Sequence, residues 1–251
     1  DVLGSRGLGD VYKRQHIHSG EKTKGIRKMI RYKKVAFAFS MLYAVCLLGI
    51  AGYWNKTKPV DAAVEVNEKP KIAITFDDGP SAYTEELLDG LKERGVKATF
   101  FVIGKSAVSY PDIVKRESNE GHLVGNHTYN HVEITKIGDE KAREEIEKTN
   151  TVLEEMLGKE IEYVRPPFGA WQKKLEQEMN VLPVMWSIDP LDWTTENVDE
   201  IVNKVVTEAK ENDIILLHDC YQSSVQAALR IIDILQKEGF EFVTADELLL
   251  D

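Results

Sequence analysis

The chain has 251 residues, 43% hydrophobic and 29% charged, with 17 Gly and 8 Pro. That composition excludes collagen-like, mucin-like and broadly disordered chains and suits one or two globular domains. Formal net charge is −10 but uneven: residues 1–34 hold 10 Lys and Arg against 3 Asp and Glu, residues 35–54 hold none, and residues 55–251 hold 22 against 39. So acidic a body argues against nucleic acid as a partner.

Residues 1–28 contain no initiator methionine and no hydrophobic period, and they read as non-native adapter sequence or a cytoplasmic tail, with a natural start at Met29. His16 and His18 fall in this stretch and make a weak case for metal. Val35–Trp54 is an uncharged run of twenty residues preceded by Arg31, Lys33 and Lys34, long enough to cross a hydrocarbon core. The basic flank keeps the N-terminal side cytoplasmic and exports the rest. Residues 29–54 are therefore a signal anchor or a signal peptide cleaved near Gly49-Ile50-Ala51. The length of the run and the interfacial pair Tyr53-Trp54 favour an anchor in the membrane. Val45 sits badly for a lipoprotein site at Cys46. Residues 55–70 are polar and punctuated by proline, as a tether would be. Cys46 and Cys220 fall in different regions, so no disulfide scaffold is expected.

From residue 71 to 251 short apolar runs alternate with helical periods. Lys71–Phe76 predicts a buried strand ended by Asp-Asp-Gly-Pro, and Thr84–Arg94 a helix through Leu87, Leu88 and Leu91 stopped by Gly95. Ala98–Ile103 predicts a second strand, Asp112–Glu120 a helix, and Leu123–Gly125 a third strand. Asp139–Leu157 is a long helical period through Ala142, Ile146, Leu153 and Leu157, with Gly158 beyond it. Tyr163–Arg165, Leu182–Ser187, Asp213–Leu217 and Phe240–Val243 predict further strands, with helices over Val198–Lys210 and Ser223–Lys237. Such alternation makes an α/β domain with a covered parallel sheet, either a compact barrel or a doubly wound sheet.

Ionisable residues collect just after these strands. Asp77 and Asp78 follow the first, His127 the third, Arg165 ends the fourth, Asp189 and Asp192 follow the fifth, and His218 and Asp219 the sixth. In parallel α/β architectures the C-terminal rim carries the active site. His127-Thr-Tyr-Asn-His131 is an H-x3-H pair whose rings, on a helical turn, share a face and reach one metal ion. Two imidazoles and one carboxylate leave coordination positions open, the mark of a catalytic site. Asp77 and Asp78 serve one site only if the chain turns sharply, which Gly79-Pro80 allows; one carboxylate then binds metal and the other acts as a base. Pro166 and Pro167 lack N–H groups, so the next backbone donor is Phe168, suited to an oxyanion. His218 is expected beside an acidic neighbour such as Asp192, which favours the protonated ring. Trp171, Trp186 and Trp193 offer a sugar-stacking wall. His122 reads as structural and Cys220 as a packing residue.

In order, TFDDGPS (75–81), HTYNH (127–131), RPPFG (165–169), DPLDW (189–193) and LLHD (216–219) closely resemble the five motifs of the polysaccharide deacetylase family, the NodB-homology enzymes of carbohydrate esterase family 4. The resemblance spans about Lys71 to Leu250. It implies a distorted, incomplete (β/α) barrel with one divalent metal ion at its C-terminal rim, zinc first among candidates with cobalt or iron also suited to the ligand set. By the resemblance Asp78, His127 and His131 are the metal ligands, Asp77 the base, Arg165 its orienting partner, and Phe168 the oxyanion donor. Asp192 tunes His218, the acid, while Trp193 and Leu216 floor the acetyl pocket. The implied reaction is hydrolysis of N-acetyl groups, with peptidoglycan N-acetylglucosamine outside the membrane as first choice of substrate, by a monomer. N-acetylmuramic acid, chitooligosaccharide and acetylated xylan remain open, as does a catalytically silent glycan-binding module.

Overall fold

The computed structural model describes residues 69–250 together with Met41. The tail, all of the apolar run but Met41, and nearly all of the linker expected from the sequence lie outside these residues. The chain divides into two units, Asp1–Val66 and Asn67–Asp251, and the second is an α/β domain. Among the described residues no helix is long and apolar enough to cross a membrane.

Among the described residues seven strands, all parallel, form one sheet: β1 (Lys71–Asp77), β2 (Thr99–Val102), β3 (Leu123–Asn126), β4 (Tyr163–Val164), β5 (Leu182–Pro183), β6 (Ile214–His218) and β7 (Glu241–Val243). The order across the sheet is β5-β4-β3-β2-β1-β6, with β7 pairing the start of β1. Beyond β5 the chain reaches the far edge, where Ile188 bridges Ile215 of β6. Ser187 N–H donates to Ile214 O and Leu216 N–H to Ile188 O. The sheet thus curls until its edges meet at one bridge, an incomplete barrel of the kind the resemblance implies, and the doubly wound alternative falls away.

The helices are α1 (Thr84–Arg94), α2 (Gly104–Ser109), α3 (Pro111–Asn119), α4 (Asp139–Leu157), α5 (Lys173–Met179), α6 (Val198–Glu208), α7 (Gln222–Lys237) and α8 (Ala245–Leu250). Strand alternation divides β1 between two environments. Ile72, Ile74 and Phe76 pack outward with Leu87, Leu88 and Leu91 of α1 and Ile231, Ile232 and Leu235 of α7. Ala73 joins the separate inner cluster with Phe101, Tyr163 and Val184, and Thr75 and Asp77 continue that inner face toward the rim. Gly95 and Gly158 end α1 and α4 in the left-handed conformation, as their sequence positions suggest.

Three sequence expectations change. The strand expected over Leu182–Ser187 is only Leu182–Pro183: its partner β4 is two residues long, and the last ladder bond is from Val184 N–H to Val164 O. The helices α2, α5 and α8 have no counterpart in the sequence reading; each is six or seven residues long, too short to declare a period. His127–His131 is not a helical turn: the segment is irregular, with φ of 63° at Thr128 and 54° at His131.

Candidate metal centre and active site

β1 runs through Asp77, and the turn begins at Asp78 itself, whose φ is 72°. The sharp change of direction thus precedes Gly79-Pro80. It lets two successive carboxylates face the same site, which a continuing strand forbids. Among the described residues seven non-glycine positions have positive φ, and Asp78, Thr128, His131, Phe168 and Leu191 are five of them. All five lie in the motif segments, and backbone strain of about 1–3 kcal/mol each persists only where surrounding contacts over-determine it.

Those contacts are visible around the two histidines. Asn126, fully buried at the end of β3, accepts from Thr128 N–H through Oδ1 at 2.7 Å. Its amide donates to Ile146 O at 2.8 Å and to Asn150 Oδ1 at 2.6 Å on α4. Glu145 of the same helix accepts from Tyr129 N–H and Asn130 N–H at 3.0 and 2.8 Å. The loop backbone is thereby fastened to α4, and both rings are delivered to one point. Asn126 and Glu145 escaped the sequence reading, because nothing local in NHTYNH announces a partner on a helix beginning at residue 139.

His127 Nδ1 lies 2.7 Å from the carbonyl oxygen of Arg165. Only an N–H can bond a carbonyl, so in the neutral ring Nε2 carries the lone pair. That lone pair lies 3.4 Å from Asp78 Oδ1, and His131 Nε2 lies 3.2 Å from the same oxygen. Asp78 Oδ1 is buried with no hydrogen-bond partner. One ligand atom from each residue falls within 4.8 Å of the others, the one such group among the described residues. Acceptor atoms converging without a donor are what a divalent cation satisfies, and the residues fit one. Burial works against a charge on Asp78, but the adjacent His127, His131 and His218 rings outweigh it and hold its pKa below the ordinary value. Burial, opposed by Asp78, holds His131 down, toward the neutral ligating form.

Arg165 is fully buried inside the barrel. Its Nη1 donates to Asp77 Oδ1 at 2.9 Å and to Thr75 Oγ1 at 2.6 Å, while Nε and Nη2 donate to the carbonyls of Val184 and Met185. Its guanidinium also lies 4.1 Å above the Phe101 ring. Asp77 Oδ1 is thus committed, and Oδ2 lies on the metal side, 3.8 Å from His127 Nε2. Beyond the two prolines, Phe168 takes a φ of 62° and its ring stands edge-on to His131, 68% exposed. The turn bonds there run from Gly169 N–H and Ala170 N–H and do not use the Phe168 N–H.

Opposite, His218 Nδ1 bonds Asp192 Oδ1 at 2.8 Å, and the other Asp192 oxygen accepts the His218 N–H at 2.9 Å. Burial opposes a charged ring, but the bond and charge of Asp192 prevail and raise His218 to about 9. Register pairs Asp77 with His218 at the matched ends of β1 and β6.

The expected residues come together. Asp77, Asp78, His127, His131, Phe168, Trp193, Leu216 and His218 all line one open cavity of about 430 Å³, with Arg165 and Asp192 buried behind it. Trp186 and Trp193 also line it. Trp171 does not: it packs against the separate cluster around Ile134 and donates to Glu176, so two of the three tryptophans expected there line the cavity. His122 is structural as expected, its Nδ1 accepting from Ala98 N–H and its pKa lowered by burial to about 4. Burial raises the Cys220 thiol to about 12, which leaves it no thiolate character.

The family model for polysaccharide deacetylase matches residues 65–185. The chain is 41% identical over 184 residues to a peptidoglycan-N-acetylglucosamine deacetylase of Bacillus cereus, covering 70% of this chain and 67% of that protein. To the peptidoglycan-N-acetylglucosamine deacetylase PgdA of Listeria monocytogenes it is 38% identical over 211 residues, covering 81% of this chain; it spans less than half, 45%, of that relative. The solved structure of the peptidoglycan deacetylase PdaC from Bacillus subtilis is similar with a TM-score of 0.70 at 37% identity, covering 72% of this chain and 90% of that one. Identity at this level across most of the described domain, in a barrel whose five motifs meet at one cavity, settles the family: this chain belongs to the polysaccharide deacetylases.

Proposed function

We propose that the domain hydrolyses N-acetyl groups of cell-wall polysaccharide, peptidoglycan N-acetylglucosamine first, and releases acetate. The observation that carries this reading is the convergence of Asp78, His127 and His131 between a carboxylate, Asp77, and a raised-pKa imidazole, His218. An amide is broken only if water is activated, the tetrahedral oxyanion is held, and the leaving amine receives a proton. The cavity has a group for each.

Asp78, His127 and His131 would hold the cation. A divalent ion bound there, zinc by our reading, supplies Lewis acidity toward the acetamide carbonyl and lowers the pKa of a water. Asp77 takes the proton from the attacking water with Oδ2, since Arg165 occupies Oδ1 and fixes the plane of the carboxylate. The Phe168 N–H, displayed by its left-handed backbone, donates to the oxyanion. His218, kept protonated by Asp192, gives its proton to the leaving nitrogen. Trp193 and Leu216 receive the acetyl methyl on an apolar floor.

The same reading puts the domain of residues 71–251 outside the cytoplasmic membrane, as a monomer tethered through residues 35–54 or released by cleavage. The uncharged run and its basic N-terminal flank support that placement. Acetate release from purified peptidoglycan and from an N-acetyl chitooligomer, before and after chelation and zinc restoration, tests the function. Zinc-dependent release supports it; a zinc-loaded protein that binds glycan and frees no acetate is a binding module instead.

A further inference from the structure

The β1–β6 ladder carries Asp77 and His218 to matched positions and ends there. Asp78, one residue later, has left the strand with a φ of 72°. Some other contact must therefore set where the turn stands relative to His218.

Asp219, next to His218, supplies such contacts. It is fully buried and does not line the catalytic cavity. Its Oδ2 accepts from Thr84 Oγ1 at 2.5 Å, and its backbone carbonyl accepts from Ser81 Oγ at 2.7 Å. Ser81 N–H donates to Thr84 Oγ1 at 2.8 Å, which closes a ring of contacts through the Asp78–Ser81 turn. The carboxylate also rests on Gly79, where an added Cβ would collide with both carboxylate oxygens. Gly79 is outside the left-handed region, so space and not backbone conformation demands glycine there. Asp219 Oδ1 has no hydrogen-bond partner.

We propose that Asp219 is a positioning residue. It continues the β1–β6 connection past the end of the ladder and fixes the Asp77–Asp78 turn at its working distance from His218. This deepens the deacetylase reading and rests on it, since the distance matters only if both sides act on one bound amide. Catalytic groups must be held to within about 0.5 Å of productive geometry, and a shift of about 1 Å can lower the rate about 10²-fold.

The test measures zinc affinity by competition with a chromophoric chelator, kcat and KM on an N-acetyl chitooligomer at saturating zinc, and melting temperature. We expect Asp219→Ala to lower kcat and weaken zinc binding by about tenfold each, with KM within about twofold, because remote misplacement of reacting groups acts on rate. Asp219→Asn, which retains an acceptor for Thr84 and nearly the same shape, should recover most of both. Ser81→Ala and Thr84→Val should move kcat in the same direction by less. A lower melting temperature with kcat and zinc affinity unchanged in these variants would reduce Asp219 to a packing residue. Should Asp219→Ala not fold, Thr84→Val decides by the same two readouts. If the wild-type protein frees no acetate yet Asp219→Ala still weakens zinc binding, the deacetylase reading fails and the positioning of the Asp78 turn stands.

Discussion

The backbone carbonyl of Arg165 accepts the Nδ1 proton of His127 at 2.7 Å, so one residue serves both halves of the site. Its carbonyl sets the tautomer of a candidate metal ligand, and its side chain pairs with the candidate base Asp77 at 2.9 Å. Arg165→Met separates the two. It keeps the carbonyl and leaves Asp77 buried and unpaired, which should destabilise the fold by about 3–5 kcal/mol. Urea unfolding and metal analysis should show a less stable protein that still binds about one equivalent of zinc with much reduced turnover; unchanged stability would mean the pair is not the buried one described.

Asp77 and His127 differ in kind. Asp77→Asn should bind zinc as the wild type does and lose about 10²–10⁴ in kcat, the usual contribution of a proton-transfer group. His127→Ala should lose zinc and activity together. A His127→Ala protein with full metal content and full acetate release would remove His127 from the ligand set.

The pairing of His218 with Asp192 gives a pH dependence with a definite sign. Its pKa is raised from the ordinary 6.5 to about 9. The pair's contribution to stability is therefore complete below pH 6.5 and lost as pH rises through about 9. In the metal-free protein an NMR titration should find the His218 midpoint near 9, and Asp192→Asn should return it toward 6.5. Activity should fall on the alkaline side as the acid loses its proton, and earlier in the variant. A His218 midpoint near 6.5 in the wild type would contradict the assigned pair.

A bound ion stabilises only the folded state. Zinc at about 100 times its dissociation constant should add about 2.7 kcal/mol to unfolding, and chelator should remove it. In His131→Ala that increment should vanish while the metal-free stabilities stay close, since His131 is only partly buried.

Much of the fold and site is legible in the sequence, for physical reasons. Short continuous apolar runs such as Lys71–Phe76 and Asp213–Leu217, alternating with helical periods, mark the strands of a covered parallel sheet, and Asp77, His127, Arg165 and His218 stand at or just past strand ends, which places them on one rim. Glycine stops at Gly95 and Gly158 are equally plain. What stays hidden depends on partners distant in sequence or on backbone conformation without a residue signature. Glu145 holds the His127–His131 loop from α4, Thr75 and the carbonyls of Val184 and Met185 complete the Arg165 cage, and Asp78 leaves the strand with a positive φ where the apolar run gives no sign that the turn comes before Gly79. Closure of the barrel through the single Ile188–Ile215 bridge has no sequence mark either.

The most direct measurement is a crystal of the zinc-loaded domain with anomalous scattering recorded at the zinc edge. The account predicts one strong peak about 2.0–2.2 Å from a carboxylate oxygen of Asp78 and from Nε2 of both His127 and His131, with coordination positions left open toward the cavity. A peak held by other residues, or none at full zinc occupancy of the protein in solution, would contradict it.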